Sequence, residues 1–133
     1  MKLRFESACF VVVVACAAVV PAFAAEQTKD SLATVKQKVE AKEAVLVDVR
    51  EKSEWNAGHV AGAVFLPLSE LQGGIDAQKL AERLPKGKIL YTHCVVGKRS
   101  VTAGNILEKK GYDVRPLKAG YKELLKAGFQ AEE

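Results

Sequence analysis

A chain of 133 residues with 49% hydrophobic and 27% charged side chains has the composition of one globular domain large enough to bury its own core. Its formal charge is +4, the lysines are scattered, and no long block of like charges occurs, which argues against a nucleic-acid groove or a polybasic membrane patch. No internal repeat, linker or low-complexity segment divides it.

At the N-terminus Lys2 and Arg4 precede an apolar stretch from Ala8 to Ala25, which closes on the small-x-small pattern Ala22-Phe23-Ala24. That is the layout of a cleavable export signal. The expectation is a signal peptide over 1–24, a mature domain over 25–133, a periplasmic or secreted product, and no stable membrane insertion after cleavage. Two rivals use the same residues: a retained membrane anchor, since the stretch is close to the roughly 18 residues that a span requires, and lipidation at Cys16 behind Val13-Val14-Ala15. Of the three cysteines, Cys9 and Cys16 lie in this segment, so Cys94 is alone in the mature domain. A lone thiol in an oxidising compartment is buried as a small hydrophobe, linked between chains, or chemically used.

Past the export segment, Leu32, Val35 and Val39 recur at near-helical spacing and predict an amphipathic helix over 30–42, with Asp30 or Ser31 as its cap. Val45-Leu46-Val47, ending at Asp48, is the short continuous apolar run of a buried parallel strand. Ala63 to Leu66 is a second such run, stopped by Pro67. Gly73 and Gly74 separate it from a helical pattern over 76–84, closed by Pro85 and Gly87. Lys88 to His93 reads as a strand that delivers the chain to Cys94. Ser100 is placed to cap the next helix, whose apolar face is Val101, Ala103, Gly104, Ile106 and Leu107, and Gly111 ends it. Tyr112 to Leu117 supplies another strand and Tyr121 to Lys126 a last helix. Strands alternating with helices in this way predict an α/β fold, a parallel sheet covered on both faces.

The stretch Cys94-Val95-Val96-Gly97-Lys98-Arg99-Ser100 lies between a strand and a helix, the edge at which open α/β sheets bind ligands. The unpaired amides and partial positive charge of a helix N-terminus, with Lys98 and Arg99 close by, favour the thiolate, which is the nucleophilic form. Gly97 suits a loop that curls back on its own cysteine, or is an ordinary turn glycine. Arg99 either binds an anionic substrate or braces the loop by a salt bridge. Ser100 is read as a helix cap in preference to a catalytic hydroxyl.

Several spaced motifs resemble the single-domain rhodanese family of sulfurtransferases: Leu46-Val47-Asp48-Val49-Arg50-Glu51, Glu54-Trp55, Gly58-His59-Val60-Ala61-Gly62-Ala63, the Cys94 loop, Gly111-Tyr112, and the region Leu117 to Gly120. The resemblance implies a three-layer fold around a central five-stranded parallel sheet. It also implies a thiosulfate-type sulfurtransferase, in which Cys94 takes the outer sulfur of a small anionic donor as a persulfide and passes that sulfur to a thiophilic acceptor, a small molecule or a protein. Residues Val95, Val96, Gly97, Lys98, Arg99 and Ser100 would then form a substrate-binding cradle made largely of backbone amides, while Asp48, Arg50, Glu54 and His59 brace the fold near the site. No metal or organic cofactor is implied, only a transient cysteine persulfide, and Trp55 and His93 are read as packing groups. Where the family carries a double glycine before a tryptophan-bearing helix, this chain has Ala119-Gly120-Tyr121, at the mouth of the site.

Two other readings compete. Cysteine phosphatases and arsenate reductases have a similar His-Cys opening, but their loops hold one residue more between cysteine and arginine than the four, Val95 to Lys98, found here. A non-catalytic sulfur carrier or protein-binding module of the same fold is the other.

Overall fold

The computed structural model describes residues 25–133, so the expected signal peptide at 1–24 lies outside the described residues. Helix α1 spans Leu32–Glu40 and is capped by Ser31, whose hydroxyl accepts the Thr34 amide at 3.1 Å. Asp30 has a different role: its carboxylate accepts from the Tyr91 hydroxyl at 2.6 Å and from Arg115 at 3.1 Å. Strand β1 is Ala44–Asp48, and a one-turn helix α2, Lys52–Asn56, follows it behind a capping box of Glu51 and Glu54. Then come β2 (His59–Val60), β3 (Val64–Phe65), α3 (Leu68–Gln72) and α4 (Ala77–Arg83), the last capped by Asp76 through the Lys79 amide. The second half of the chain contains β4 (Ile89–His93), α5 (Lys98–Lys109), β5 (Asp113–Val114), α6 (Tyr121–Lys126) and β6 (Ala131–Glu132).

The main sheet has the order β3-β1-β4-β5, and all its pairings are parallel. Among the described residues it has four strands, not the five implied by the family resemblance. The two-residue β2 pairs antiparallel with β6, His59 opposite Glu132 and Val60 opposite Ala131, and so belongs to a separate ribbon. The strand expected over 112–117 is cut to two residues because Pro116 has no amide to donate. Its neighbours Arg115 and Leu117 still donate to Leu90 and Thr92 of β4, both at 2.8 Å.

Alternation along the central strands fills both faces of the sheet. Val47 and Leu90 point into a core shared with Leu66, Leu80, Leu84 and Leu107. Leu46 and Tyr91 point into a second core with Val35, Val60, Leu117 and Leu124. Each fully buried aliphatic side chain of this kind contributes about 1.5–3 kcal/mol. These two cores fix β1 and β4 side by side, with Asp48 directly opposite His93 at their carboxyl ends.

Candidate active site

Cys94 is the first residue beyond β4, and its side chain belongs to the core cluster facing α5. Only 1% of the residue is exposed. The chain turns back over it through Val95 and Val96, and Gly97 adopts φ 90°, the left-handed region, before α5 begins. This turn sends the Gly97 amide back to the sulfur, where it donates to Cys94 Sγ at 3.2 Å. The expected ring of amides is therefore represented, among the described residues, by one hydrogen bond to Sγ. Lys98, Arg99 and Ser100 form the first turn of α5, whose amides have no intrahelical carbonyl to reach.

Ser100 lies inside this first turn and is not the cap that its sequence position suggested, because the cap is Gly97, three residues earlier. It is fully buried, and its hydroxyl lies 2.8 Å from both the Gly97 and the Leu117 carbonyls, so one proton ties the loop to the segment after β5. Thr92 adds a second tie, donating from Oγ1 to the Ser100 carbonyl at 2.9 Å. From the N-terminal side, Gln27 reaches the Gly97 carbonyl at 3.4 Å. Neither Thr92 nor Gln27 stands out in the sequence, since nothing local marks a polar residue whose partner is distant.

Gly97 has two reasons to be glycine. Its φ is positive, and a β-carbon there would come within 2.4 Å of Gln27 Nε2 and 3.0 Å of Lys118 Cα. Gly120 has one reason, an approach so close that a β-carbon would stand 2.3 Å from the Val95 carbonyl oxygen. The segment in which the chain departs from the family pattern thus packs directly on the cysteine loop.

Arg99 commits its guanidinium to Glu54, with hydrogen bonds of 2.7 and 2.8 Å to the two carboxylate oxygens. Of the two roles open to Arg99, bracing is the one its geometry serves. The same bonds, assisted by the Glu51 backbone, hold the Glu54 carboxyl down at about 2 against the penalty of burial, and Glu54 in turn raises Arg99 above its ordinary value. Asp48 and Arg50 form a second bidentate pair: Nε donates at 3.0 Å and Nη2 at 2.8 Å, and Nη2 also donates to the Gly58 carbonyl at 2.8 Å. The Tyr121 ring covers this guanidinium at 4.8 Å. His59 stands further off, stacked on Trp55 with ring centres 3.5 Å apart and Nδ1 3.0 Å from the Trp55 carbonyl. It stiffens the turn that supplies the Gly58 carbonyl.

His93 is sealed between these groups, with Nε2 3.7 Å from Asp48 and neither ring nitrogen hydrogen-bonded. Burial pushes it down to about 4, overriding the pull of Asp48, so the ring is neutral at ordinary pH. Among the described residues no group of three or more His, Cys, Asp or Glu side chains is placed to hold a metal ion, and no helix is long and apolar enough to cross a membrane.

An open parallel sheet with a cysteine at the carboxyl end of a central strand, in the turn that launches a helix, defines a cysteine-loop α/β protein. A model of the rhodanese-like domain matches residues 31–127, and the chain belongs to that family. "Putative sulfur carrier protein YrkF" of Bacillus subtilis is 35% identical over 83 residues, which cover 62% of this chain and 42% of that protein. For the first two curated relatives the matched stretch spans 42% and 61% of their own length, less than two thirds of either. Among solved structures, a rhodanese-related protein of Thermoplasma volcanium shares the fold with a TM-score of 0.62 at 23% identity, covering 83% of this chain and 98% of that one. A human single-domain sulfurtransferase is similar with a TM-score of 0.60 at 26% identity, covering 69% and 89%.

Proposed function

We propose that the protein is a sulfurtransferase in which Cys94 carries sulfane sulfur as a persulfide. One observation carries this reading: a lone sulfur at the carboxyl end of β4 accepts a loop amide at the start of α5, in a chain of the rhodanese-like family. In the first half-reaction the Cys94 thiolate attacks the outer sulfur of thiosulfate. The new S–S bond forms as the old one breaks, and its electron pair leaves with sulfite. The persulfide so formed places its negative charge where the unpaired amides of the α5 first turn can receive it. The acceptor takes the sulfur in the second half-reaction and returns the electron pair to Cys94. The exposed Lys98 at the loop favours an anionic donor.

Intact-mass measurement after thiosulfate treatment tests the proposal. The expected result is the gain of one sulfur atom by wild type and none by Cys94→Ser. A wild-type protein that stays unmodified with every sulfane donor would overturn it. A second reading, a sulfur carrier loaded only by a partner, is favoured by the name of the Bacillus relative. It predicts loading from a protein persulfide without thiocyanate formation from thiosulfate and cyanide. Phosphate-ester hydrolysis is not expected, since the Arg99 fork is occupied by Glu54. We further propose that residues 1–24 direct export, on the pattern of Lys2, Arg4 and Ala22-Phe23-Ala24. N-terminal sequencing of the exported protein is expected to begin at Ala25.

A further inference from the structure

The described residues leave two large hydrophobic side chains exposed, Val95 at 49% and Val96 at 66%, and both belong to the cysteine loop. A small anionic donor makes no use of apolar surface, so two adjacent valines open to water directly after the buried cysteine call for another explanation. Clefts lie on both sides of them. One, of about 230 Å³, is lined by Arg50, Tyr121 and Lys122. The other, of about 440 Å³, is lined by Leu32, Lys118 and Ala119. Val95, Val96 and Glu123 border both, so the loop tip forms a ridge between two grooves.

The rim is positively charged. Lys118 and Lys122, which line the grooves, are exposed, as is Lys98 two residues after Val96, and none of them takes part in an ion pair among the described residues. The acid at the rim, Glu123, turns a carboxylate oxygen to the Gly120 amide at 3.0 Å. A small thiol would fill one groove and leave the other empty. An extended peptide crossing the ridge would occupy both, cover the valines and bring carboxylates to the lysines.

We infer that the ridge and its two grooves dock an extended, acidic, cysteine-bearing segment of a partner protein, which is the sulfur acceptor. The inference rests on the persulfide reading for its chemistry, but the docking is separable from it. In the transfer step the partner's thiolate attacks the outer sulfur of the Cys94 persulfide. A new S–S bond forms on the partner, the bond to Cys94 Sγ breaks, and Cys94 recovers its thiolate. Sulfane sulfur moves with no net oxidation.

Two short fluorescent peptides test this in the full protein. Each carries a serine in place of the acceptor cysteine beside a valine, one flanked by glutamates and the other by lysines. Binding measured by anisotropy needs no sulfur chemistry, so a failure of docking is distinguishable from a failure of persulfide formation, which intact mass reads separately. The acidic peptide is expected to bind at least about tenfold tighter than the basic one, and to lose that advantage as salt is raised. In the Lys118→Glu/Lys122→Glu variant, with its fold verified by circular dichroism, the preference is expected to vanish. Equal affinity of wild type for the two peptides, or an unchanged preference in the variant, would overturn the proposal. With cysteine restored in the acidic peptide, transfer from preloaded Cys94 should show the same order of preference, and equal rates with the basic peptide would also count against it.

Discussion

A β-carbon at position 120 would lie 2.3 Å from the Val95 carbonyl and 3.0 Å from that of Cys94, and both contacts are with backbone. Neither can rotate away, so Gly120→Ala must push the cysteine loop outward or shift the segment before α6. Such overpacking typically costs about 1–3 kcal/mol, and here the displacement falls on the loop around Cys94. On the sulfurtransferase reading proposed above, Gly120→Ala is therefore expected to lower the thiosulfate-to-cyanide transfer rate by about an order of magnitude or more while the domain stays folded, as read by steady-state kinetics beside urea denaturation. An unchanged rate would show that the loop tolerates the shift. Ser100 behaves in the opposite way. Its buried hydroxyl serves the Gly97 and Leu117 carbonyls, and Ser100→Ala takes this donor from the Leu117 carbonyl, while the Gly97 carbonyl keeps Gln27 and the Val101 amide, at a cost of about 1–3 kcal/mol, measurable as a lower urea midpoint.

Helix α5 is held at its start by neighbours from three directions: Thr92 of β4, Leu117 beyond β5, and Gln27 of the segment before α1. That last segment, residues 25–30, precedes the region matched by the family, yet it is anchored at several points. Ala25 donates its amide to Asn105 of α5 at 2.5 Å, Thr28 donates to the Pro116 carbonyl at 2.7 Å, and Asp30 accepts from Tyr91 and Arg115. Burial and then Asp30 push the Tyr91 phenol up to about 12, while the Tyr91 hydroxyl lowers Asp30. Asp30→Ala leaves a buried hydroxyl without its acceptor and is expected to cost about 1–3 kcal/mol. Tyr91→Phe removes the donor too and should cost less. In the double variant the two losses should fall short of their sum, which urea denaturation of all four proteins would show. The sequence made the strands β1 and β4 and the helices α1, α4, α5 and α6 legible, because each has an apolar period or a sharp stop such as Asp48 or Gly111. It did not reveal α2 and α3, one-turn helices too short to show a period, nor the β2-β6 ribbon, whose two-residue strands pair across most of the domain. The cysteine loop was legible from its place between a strand and a helix. What could not be read was that Arg99 turns to Glu54, because the partner lies forty-five residues away in sequence, and that Ser100 falls inside the helix, because the left-handed Gly97 advances the helix start.

Two acid-sensitive groups sit at the carboxyl edge of the sheet and act in different pH windows. His93 is lowered by burial from its ordinary value of 6.5 to about 4. Below pH 6.5 the unfolded chain binds a proton at this position that the folded protein refuses until about pH 4, so acidification through that window favours unfolding. The stability contributed by the neutral buried ring is present at neutral pH and is lost as the pH falls, by on the order of 3 kcal/mol at the bottom of the window. Glu54 is lowered from 4.5 to about 2 by its bonds with Arg99, so its contribution persists to lower pH and is lost between about 4.5 and 2. The windows overlap little, which makes the two separable by titration. Urea unfolding of wild type is expected to show a steady fall in stability from pH 6.5 to 4, and His93→Gln should flatten that slope while leaving the decline below pH 4 in place. Glu54→Gln should do the reverse. Because Asp48 faces His93 at 3.7 Å and is already bound to Arg50, a proton on the ring would meet a guanidinium as well as a carboxylate. The network therefore gives the imidazolium no clean partner, and a His93→Gln variant with the wild-type slope between pH 6.5 and 4 would mean that the proton is accommodated there after all.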